Sequence, residues 1–129
     1  REFIIPNSDI NKWRSEKKGH HKPRTAKDGT KYDWKVGNME FPDSLERPSR
    51  TIVTSEGSKS ASRITHIIKQ NKIYRRLTPI ELERLNLFPD DFTKSENISD
   101  TKRAFLMGNA LVVGIIQKIG SALSAELES

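Results

Sequence analysis

The chain has 129 residues, of which 33% are hydrophobic and 31% charged, and its net charge is +6. This length suits one domain or part of a larger protein, with only a modest core. The absence of cysteine excludes a disulfide scaffold, a thiolate metal site and a cysteine nucleophile within these residues. No window approaches the roughly 20 uninterrupted apolar residues of a bilayer span, and no signal peptide is recognisable, so we expect no membrane contact.

The first 50 residues contain the excess positive charge. Nine basic residues lie between Lys12 and Lys35 against three acidic ones, and this stretch therefore accounts for the whole net charge. Trp13, Tyr32 and Trp34 lie in the same stretch. Basic and aromatic residues together suit a polyanion such as nucleic acid, although a solvated lysine-rich loop would have the same composition. Residues 1–50 show no helical period, and we predict loop with short extended pieces.

Residues 51–76 are predicted to form β structure. The runs 51–54 and 64–68 are rich in β-branched residues, which favours strands. A polar break at 69–72, followed by 73–76, predicts a hairpin return. The glycine- and serine-containing segment 56–60 predicts a flexible loop between the two runs.

From Thr78 onward the pattern is helical. Thr78, Pro79 and Glu81 occupy the N-cap, first and third positions of a capping box, and the helix should run over 78–86 because Pro89 follows closely. Further helices are predicted over 99–107, where Gly108 interrupts the pattern, and over 110–126. The last helix has one apolar stripe for which the chain offers little partner surface, formed by Leu111, Val112, Ile115, Ile116, Ile119 and Leu123.

These elements predict an α+β fold in which a small, irregular, twisted β portion is followed by C-terminal helices, with a division between residues 1–76 and 77–129. The three histidines are too dispersed for a metal site, and we expect no metal. Glu96 and Asn97 follow a loop and are interpreted as surface residues. No hydroxyl nucleophile with a nearby histidine base and no glycine-rich phosphate loop is present. The residues therefore indicate binding chemistry without reaction chemistry.

Two blocks carry a resemblance to a known family. The string RRLTPIELERLNLFPDDF at 75–92, followed by GNALVVGIIQKIGSAL at 108–123, closely resembles the two C-terminal motifs of the DNA (cytosine-5)-methyltransferases in content, order and spacing. The upstream PSRTIVTSEG at 48–57 is similar to the end of that family's target recognition domain. Two residues depart from the family pattern, since Leu87 stands where glycine is usual and Leu106 where glutamine often precedes the Gly-Asn pair.

The resemblance implies a division of labour. In this family a thiolate from a Pro-Cys motif attacks carbon 6 of a cytosine flipped out of double-stranded DNA, and carbon 5 then takes a methyl group from S-adenosylmethionine. This chain contains neither the Pro-Cys motif, the Glu-Asn-Val motif nor the Phe-x-Gly-x-Gly cofactor loop. It therefore resembles a C-terminal fragment, inactive alone, whose first residue, Arg1, fits an excised piece. Residues 1–76 would be the DNA-binding recognition region, and 77–129 would pack on the missing N-terminal catalytic domain.

The resemblance also implies roles for individual residues. Asn109, Ala110 and Leu111 are expected to border the S-adenosylmethionine pocket. The first block is expected to have a structural role, which is to hold the recognition domain. Glu81 and Arg84 are spaced to form an ion pair. The residues concerned are Thr78, Glu81, Arg84, Phe88 and Pro89.

DNA contacts are assigned to the first 65 residues. Thr51 is the expected contact near the flipped nucleotide. Arg47, Arg50 and Arg63 are candidates for guanine edges, because arginine can bind them in a bidentate way. Phosphate contacts are expected for Lys17, Lys18, Lys22 and Arg24.

Three other hypotheses remain open at this point. A stand-alone DNA-binding module, or a small subunit that completes a split methyltransferase, would have the same residues. An unrelated basic interaction protein would require the match at 75–123 to be accidental. For the fragment, we expect a bacterial, cytoplasmic protein of a restriction-modification system, and self-association through the exposed last helix.

Overall fold

A computed structural model describes residues 2–128 and shows an α+β chain. After a 3-10 turn at Asn7–Asp9, the elements are α1 (Ile10–Glu16), β1 (His20–Thr25), β2 (Lys31–Val36), β3 (Ile67–Gln70), β4 (Ile73–Arg76), α2 (Pro79–Leu85), α3 (Asp100–Asn109) and α4 (Val113–Leu127). The predicted fold class is confirmed, with two separate two-stranded antiparallel sheets preceding the C-terminal helices.

The β3–β4 hairpin was predicted, and the structure confirms it. Its turn residues Asn71 and Lys72 both have positive φ, at 47° and 67°, which is the geometry of a tight two-residue hairpin turn. The N-terminal segment lies along β4, where the Ile5 amide donates to the Tyr74 carbonyl at 2.9 Å. Beneath this sheet lies the first core cluster, in which Ile5, Trp13 and Ile67 are buried together.

The prediction of loop with short extended pieces for residues 1–50 was wrong at one element, helix α1. Helix α1 forms because Trp13 is buried in the first core cluster, so tertiary packing compensates for a short helix without a clear period. Strands β1 and β2 form a second hairpin whose turn contains Asp28 and Gly29, with Gly29 at φ 87°. These strands are extended pieces of the kind predicted for this region, but their pairing was not predicted, although an Asp-Gly pair is a strong hairpin signal.

The predicted strand at 51–54 is absent. Ile52 is buried in the second core cluster with Leu82, Ala104 and Met107, so this run contributes a side chain to a helical core instead of pairing with a strand. The run at 64–68 becomes a strand only from Ile67.

The three predicted helices are confirmed with shifted ends. Gly108 lies inside α3 instead of interrupting it, and the helix ends at Asn109, which is followed by Ala110 with an extended backbone at φ −83° and ψ 155°. Within the described residues, the stretch Asp100–Leu127 is the one long and apolar enough to suggest a membrane span by length and composition. The extended backbone at Ala110 divides it into α3 of 10 residues and α4 of 15, each shorter than the roughly 20 that a span needs.

Leu87 occupies a strained position just after α2. Its φ is 62°, in the left-handed region that favours glycine. The family pattern has glycine at this position. Leu87 adopts the left-handed backbone that suits glycine, and this conformation is strained for a leucine. The Leu87 side chain also closes the space beside Gly114, where an added Cβ would lie 2.6 Å from Leu87 Cδ1.

Candidate functional site

A cleft of about 250 Å³ lies between the loop 49–52, the end of α2 and the residues joining α3 to α4. Its walls include Arg50, Thr51, Ala110 and Leu111. From the sequence, Arg50 and Thr51 are expected at DNA and Ala110 and Leu111 at the cofactor, and the fold brings these distant segments together. We call this feature the Thr51 cleft.

Asn86 connects the elements that form the Thr51 cleft. Its buried side-chain amide donates to the Met107 carbonyl at 2.9 Å, and its own carbonyl accepts the Val113 amide at 3.0 Å. One residue at the end of α2 therefore joins the end of α3 to the start of α4. The extended segment 110–112 is fixed between these two bonds, which holds its backbone in a defined orientation beside Thr51.

Gly108 brings α3 against the loop that contains Thr51. A Cβ at Gly108 would lie 2.3 Å from the Val53 carbonyl carbon and 2.4 Å from the Thr54 amide nitrogen. Glycine, which has no Cβ, allows this close backbone approach. The structure shows that the approaching backbone is that of 53–54.

Asn109 lies beside the Thr51 cleft. Its exposed side-chain amide donates to the Phe105 carbonyl one turn earlier in α3, at 3.2 Å. Of the three residues expected at the cofactor, Ala110 and Leu111 line the cleft, whereas Asn109 does not line it.

Several residues assigned to DNA are accessible. Lys18, Lys22, Arg24, Arg47 and Thr51 are all exposed to solvent. Lys22 and Arg24 lie on β1, and Arg47 lies in the loop before the Thr51 cleft.

Lys17 and Arg63 do not fit their assigned DNA roles. Lys17 is 2% exposed, and its ammonium donates to the Arg63 and Thr65 carbonyls, at 2.6 and 2.5 Å. Burial lowers the pKa of Lys17 to about 8. The Arg63 guanidinium donates in turn to the carbonyls of Lys18, at 2.9 Å, and Gly37. Both cations satisfy backbone carbonyls around the base of the β1–β2 hairpin, so neither is free for phosphate or a base edge.

Arg50 is largely committed within the fold as well. Its Nε donates to Asp43 Oδ1 at 2.8 Å and its Nη1 to the Ile64 carbonyl at 3.1 Å. Asp43 also accepts the Ile67 amide, so the pair ties the loop 43–50 to β3. Burial raises the pKa of Asp43, but the hydrogen bonds from Arg50 and Ile67 outweigh it and the pKa lies below its usual value. Only Nη2 of Arg50 is without a partner among the described residues.

The structural role expected for the first block is visible at its capping box. Thr78 Oγ1 accepts the Glu81 amide at 3.3 Å, and Glu81 Oε2 accepts the Thr78 amide at 2.8 Å. The expected Glu81–Arg84 pair is not formed, because Glu81 binds Arg75 through both carboxylate oxygens, at 2.7 and 2.8 Å, and Arg84 binds Asp90. Phe88 packs against the second core cluster, whereas Pro89 is exposed.

The substitution Glu81→Gln should lower the stability of the fold by an amount that depends on pH. Burial raises the pKa of Glu81, but the hydrogen bonds from Arg75 and Thr78 outweigh it and lower the pKa to about 2. The ionised form therefore stabilises the fold above pH 4.5, and this contribution is lost as the pH falls from 4.5 towards 2. In urea unfolding, we expect the substitution to cost about 2 kcal/mol at pH 7, after allowance for solvent screening.

The cost of Glu81→Gln should shrink towards pH 2, where the wild-type carboxylate is itself protonated. The exposed Glu96→Gln in the loop before α3 is the control and should change little at either pH. A cost for Glu81→Gln that is the same at pH 7 and pH 3 would contradict the assignment of the pKa.

Two buried ionic groups were not predicted from the sequence. Arg103 Nη2 lies 2.9 Å from Glu83 Oε1 and 3.0 Å from Asp91 Oδ1, and Glu83 is fully buried. Glu56 binds both the amide and the Nδ1 of His66, at 2.6 and 3.0 Å, with both side chains buried. The loop 56–60, expected to be flexible, is thus anchored at its start. No local sequence signal pairs residues so far apart.

Helix α4 presents an apolar surface to solvent. None of its residues is buried, and Ile115, Ile119 and Leu123 are between 55% and 60% exposed. The predicted exposure of this stripe is confirmed, and apolar surfaces of this kind are common at protein interaction sites. Within residues 2–128, no group of three or more histidine, aspartate or glutamate side chains could hold a metal ion.

Comparison with known proteins gives a consistent result. The model of the family described as C-5 cytosine-specific DNA methylase matches residues 3–125. The chain is 44% identical to the type II methyltransferase M.Sau3AI of Staphylococcus aureus over 94% of its own length and 28% of that protein. It is 33% identical to the type II methyltransferase M.BanI of Aneurinibacillus aneurinilyticus over 69% of its length and 20% of that protein. No solved structure matches.

The chain thus spans about a quarter of the length of these relatives. The matched region includes both C-terminal blocks, the Thr51 cleft and both β-hairpins. The chain belongs to the C-5 cytosine-specific DNA methylase family.

Proposed function

We propose that this chain is the DNA-recognising, C-terminal part of a DNA (cytosine-5)-methyltransferase. The observation that supports this most strongly is the Thr51 cleft, where a DNA candidate and two cofactor candidates line the same walls. Thr51 would contact the backbone of the flipped cytosine nucleotide. S-adenosylmethionine supplies the methyl group, and the thiolate nucleophile belongs to residues outside this chain.

Ala110 and Leu111 would form one wall of the S-adenosylmethionine pocket. The small Ala110 side chain and the extended backbone leave room for a ligand, and a mainly apolar wall with a few polar groups is typical of such pockets. Arg50 and the hydroxyl of Ser49 are also present in this cleft.

The apolar face of α4 would pack on the N-terminal catalytic domain of the same protein. Burying its exposed leucine and isoleucine side chains would stabilise that interface by about 1.5 to 3 kcal/mol for each side chain fully removed from water. In the isolated chain the same face would cause self-association. The named relatives are bacterial type II methyltransferases, which supports a cytoplasmic enzyme of a restriction-modification system.

The test uses the intact protein that contains this chain, labelled S-adenosylmethionine and duplex DNA. We expect label on cytosine with the intact protein and none with the 129-residue chain alone. Thr51→Ala should reduce kcat/KM for DNA about 10- to 100-fold, the value of one hydrogen bond to a charged group.

Thr101→Ala is the control for Thr51→Ala, because Thr101 is exposed on α3 and does not line the Thr51 cleft. It should leave kcat/KM unchanged. Turnover by the isolated chain, or equal effects of the two substitutions, would contradict the proposal.

A further inference from the structure

The β1–β2 hairpin projects from the rest of the chain as an arm. Its twelve strand residues are all exposed or partly exposed, and its two strands pair with each other alone among the described residues. The tip is ordered by the Ala26 amide, which donates to the Thr30 carbonyl at 2.8 Å, and by Asp28, which accepts the Thr30 amide at 2.9 Å. An isolated two-stranded ribbon is only marginally stable in water. Because this ribbon adds no buried side chain to the core, we infer that its residues have a role in binding.

The two faces of this ribbon differ. Cross-strand partners share a face, and the pairs are His20 with Val36, Lys22 with Trp34 and Arg24 with Tyr32. We call this side the aromatic face. The other side, called the lysine face, carries His21, Pro23, Thr25, Lys31, Asp33 and Lys35.

Arg24 is oriented within the aromatic face. Its guanidinium carbon lies 4.6 Å from the Trp34 ring centroid, and the His20 ring lies 5.4 Å from the same ring. A guanidinium held over an indole loses less conformational freedom when it binds a partner. Tyr32 beside it is 45% exposed, so a large part of this aromatic and cationic surface faces solvent.

The base of the ribbon is fixed to the core. Arg63 donates to the carbonyls of Lys18, before β1, and Gly37, after β2. Just before β1, the Lys17 ammonium donates to the Thr65 carbonyl in the segment that precedes β3. The Gly19 amide donates to Asn38 Oδ1 at 2.6 Å across the base of the ribbon. The cations that proved unavailable for DNA therefore orient the arm that carries Lys22 and Arg24.

The shape and charge of the arm fit duplex DNA. The major groove admits a two-stranded ribbon, and arginine or lysine binds the O6 and N7 acceptors of guanine there. Residues 20–36 contain five basic side chains against two acidic ones, which complements the phosphates on either side of a groove.

We propose that the β1–β2 hairpin lies in the major groove of the substrate DNA with its aromatic face towards the base edges, where Arg24 and Lys22 read guanine. The lysine face then points away from the bases, and Lys31 and Lys35 contribute only to general attraction. This differs from the phosphate contacts expected for Lys22 and Arg24 from the sequence. The inference rests on the proposed function, because it takes duplex DNA as the substrate.

The experiment measures sequence preference with the intact protein. Sequencing of the DNA that it methylates gives the target, and competition binding then compares that duplex with a set in which one base pair at a time is changed. Arg24→Ala and Lys22→Ala should each lower the preference at a guanine-containing pair about 10- to 100-fold. Lys31→Ala and Lys35→Ala remove the same charge from the lysine face and should weaken binding to all duplexes equally.

Base analogues identify the groove. In 7-deazaguanine the N7 acceptor of the major groove is missing. Placing it in the affected pair should weaken binding by the wild type as much as Arg24→Ala does, and should weaken binding by Arg24→Ala no further. A loss caused instead by inosine, which lacks the minor-groove amino group, would overturn the placement.

Two further outcomes are decisive. If the wild type methylates its target but the aromatic-face variants keep their preference at every pair, the proposed function stands and this inference is wrong. If the wild type shows neither cytosine methylation nor sequence preference, both are overturned.

Discussion

Replacing Gly108 by alanine is expected to destabilise the chain by about 3 kcal/mol or more, the upper end of the cost of overpacking a rigid site. The added Cβ would lie 2.3 Å from the Val53 carbonyl carbon, and backbone atoms cannot move aside as the end of a flexible side chain can. Urea unfolding of the 129-residue chain measures this loss. In the intact protein, KM for S-adenosylmethionine should rise as well, because α3 would shift away from the loop that lines the Thr51 cleft.

Gly120→Ala provides a control of opposite sign. Gly120 lies inside α4 with open space where its Cβ would be, so alanine should raise helix stability by roughly 0.5 to 1 kcal/mol. Equal stability of Gly108→Ala and the wild type would show that α3 and the 53–54 backbone are not in close contact.

Arg103→Met is expected to cost about 3 to 5 kcal/mol, since it leaves the Glu83 carboxylate buried without its cation. Burial raises the pKa of Glu83, but hydrogen bonds from Thr93 and Arg103 outweigh it and keep the pKa below its usual value. Without Arg103 the pKa of Glu83 should rise. The variant should therefore be least stable, relative to the wild type, at neutral pH and recover part of the loss in acid.

The neighbouring Lys102→Met is the matched control, because Lys102 is exposed on the same helix. Urea unfolding at pH 7 and pH 4 should show a large, pH-dependent cost for Arg103→Met and a small one for Lys102→Met. Equal costs would mean that the Arg103–Glu83 pair does not hold α2, α3 and the loop 89–93 together.

The elements predicted correctly have signals contained within a few neighbouring residues. The capping box at Thr78 and Glu81, the polar break between β3 and β4 and the stripe of α4 each depend on local backbone preference or a regular period. Helix α1 was missed because burial of Trp13 against Ile5 and Ile67 stabilises it, and this contact joins distant segments.

The site was predicted in part. Thr51, Ala110 and Leu111 were identified by resemblance to a family, and the structure brings them to one cleft. Lys17, Arg50 and Arg63 were assigned to DNA because they are cations in the region that the resemblance gives to DNA recognition. Their partners are mainly carbonyls and a carboxylate supplied by other loops, and composition contains no information on such contacts.

Nucleoside mass spectrometry of DNA modified by the intact protein tests the central claim most directly. With S-adenosylmethionine as methyl donor, the account predicts that 5-methylcytosine appears and that sequencing places it in one short, fixed sequence. Methyl groups found on adenine, or on the exocyclic nitrogen of cytosine, would contradict it.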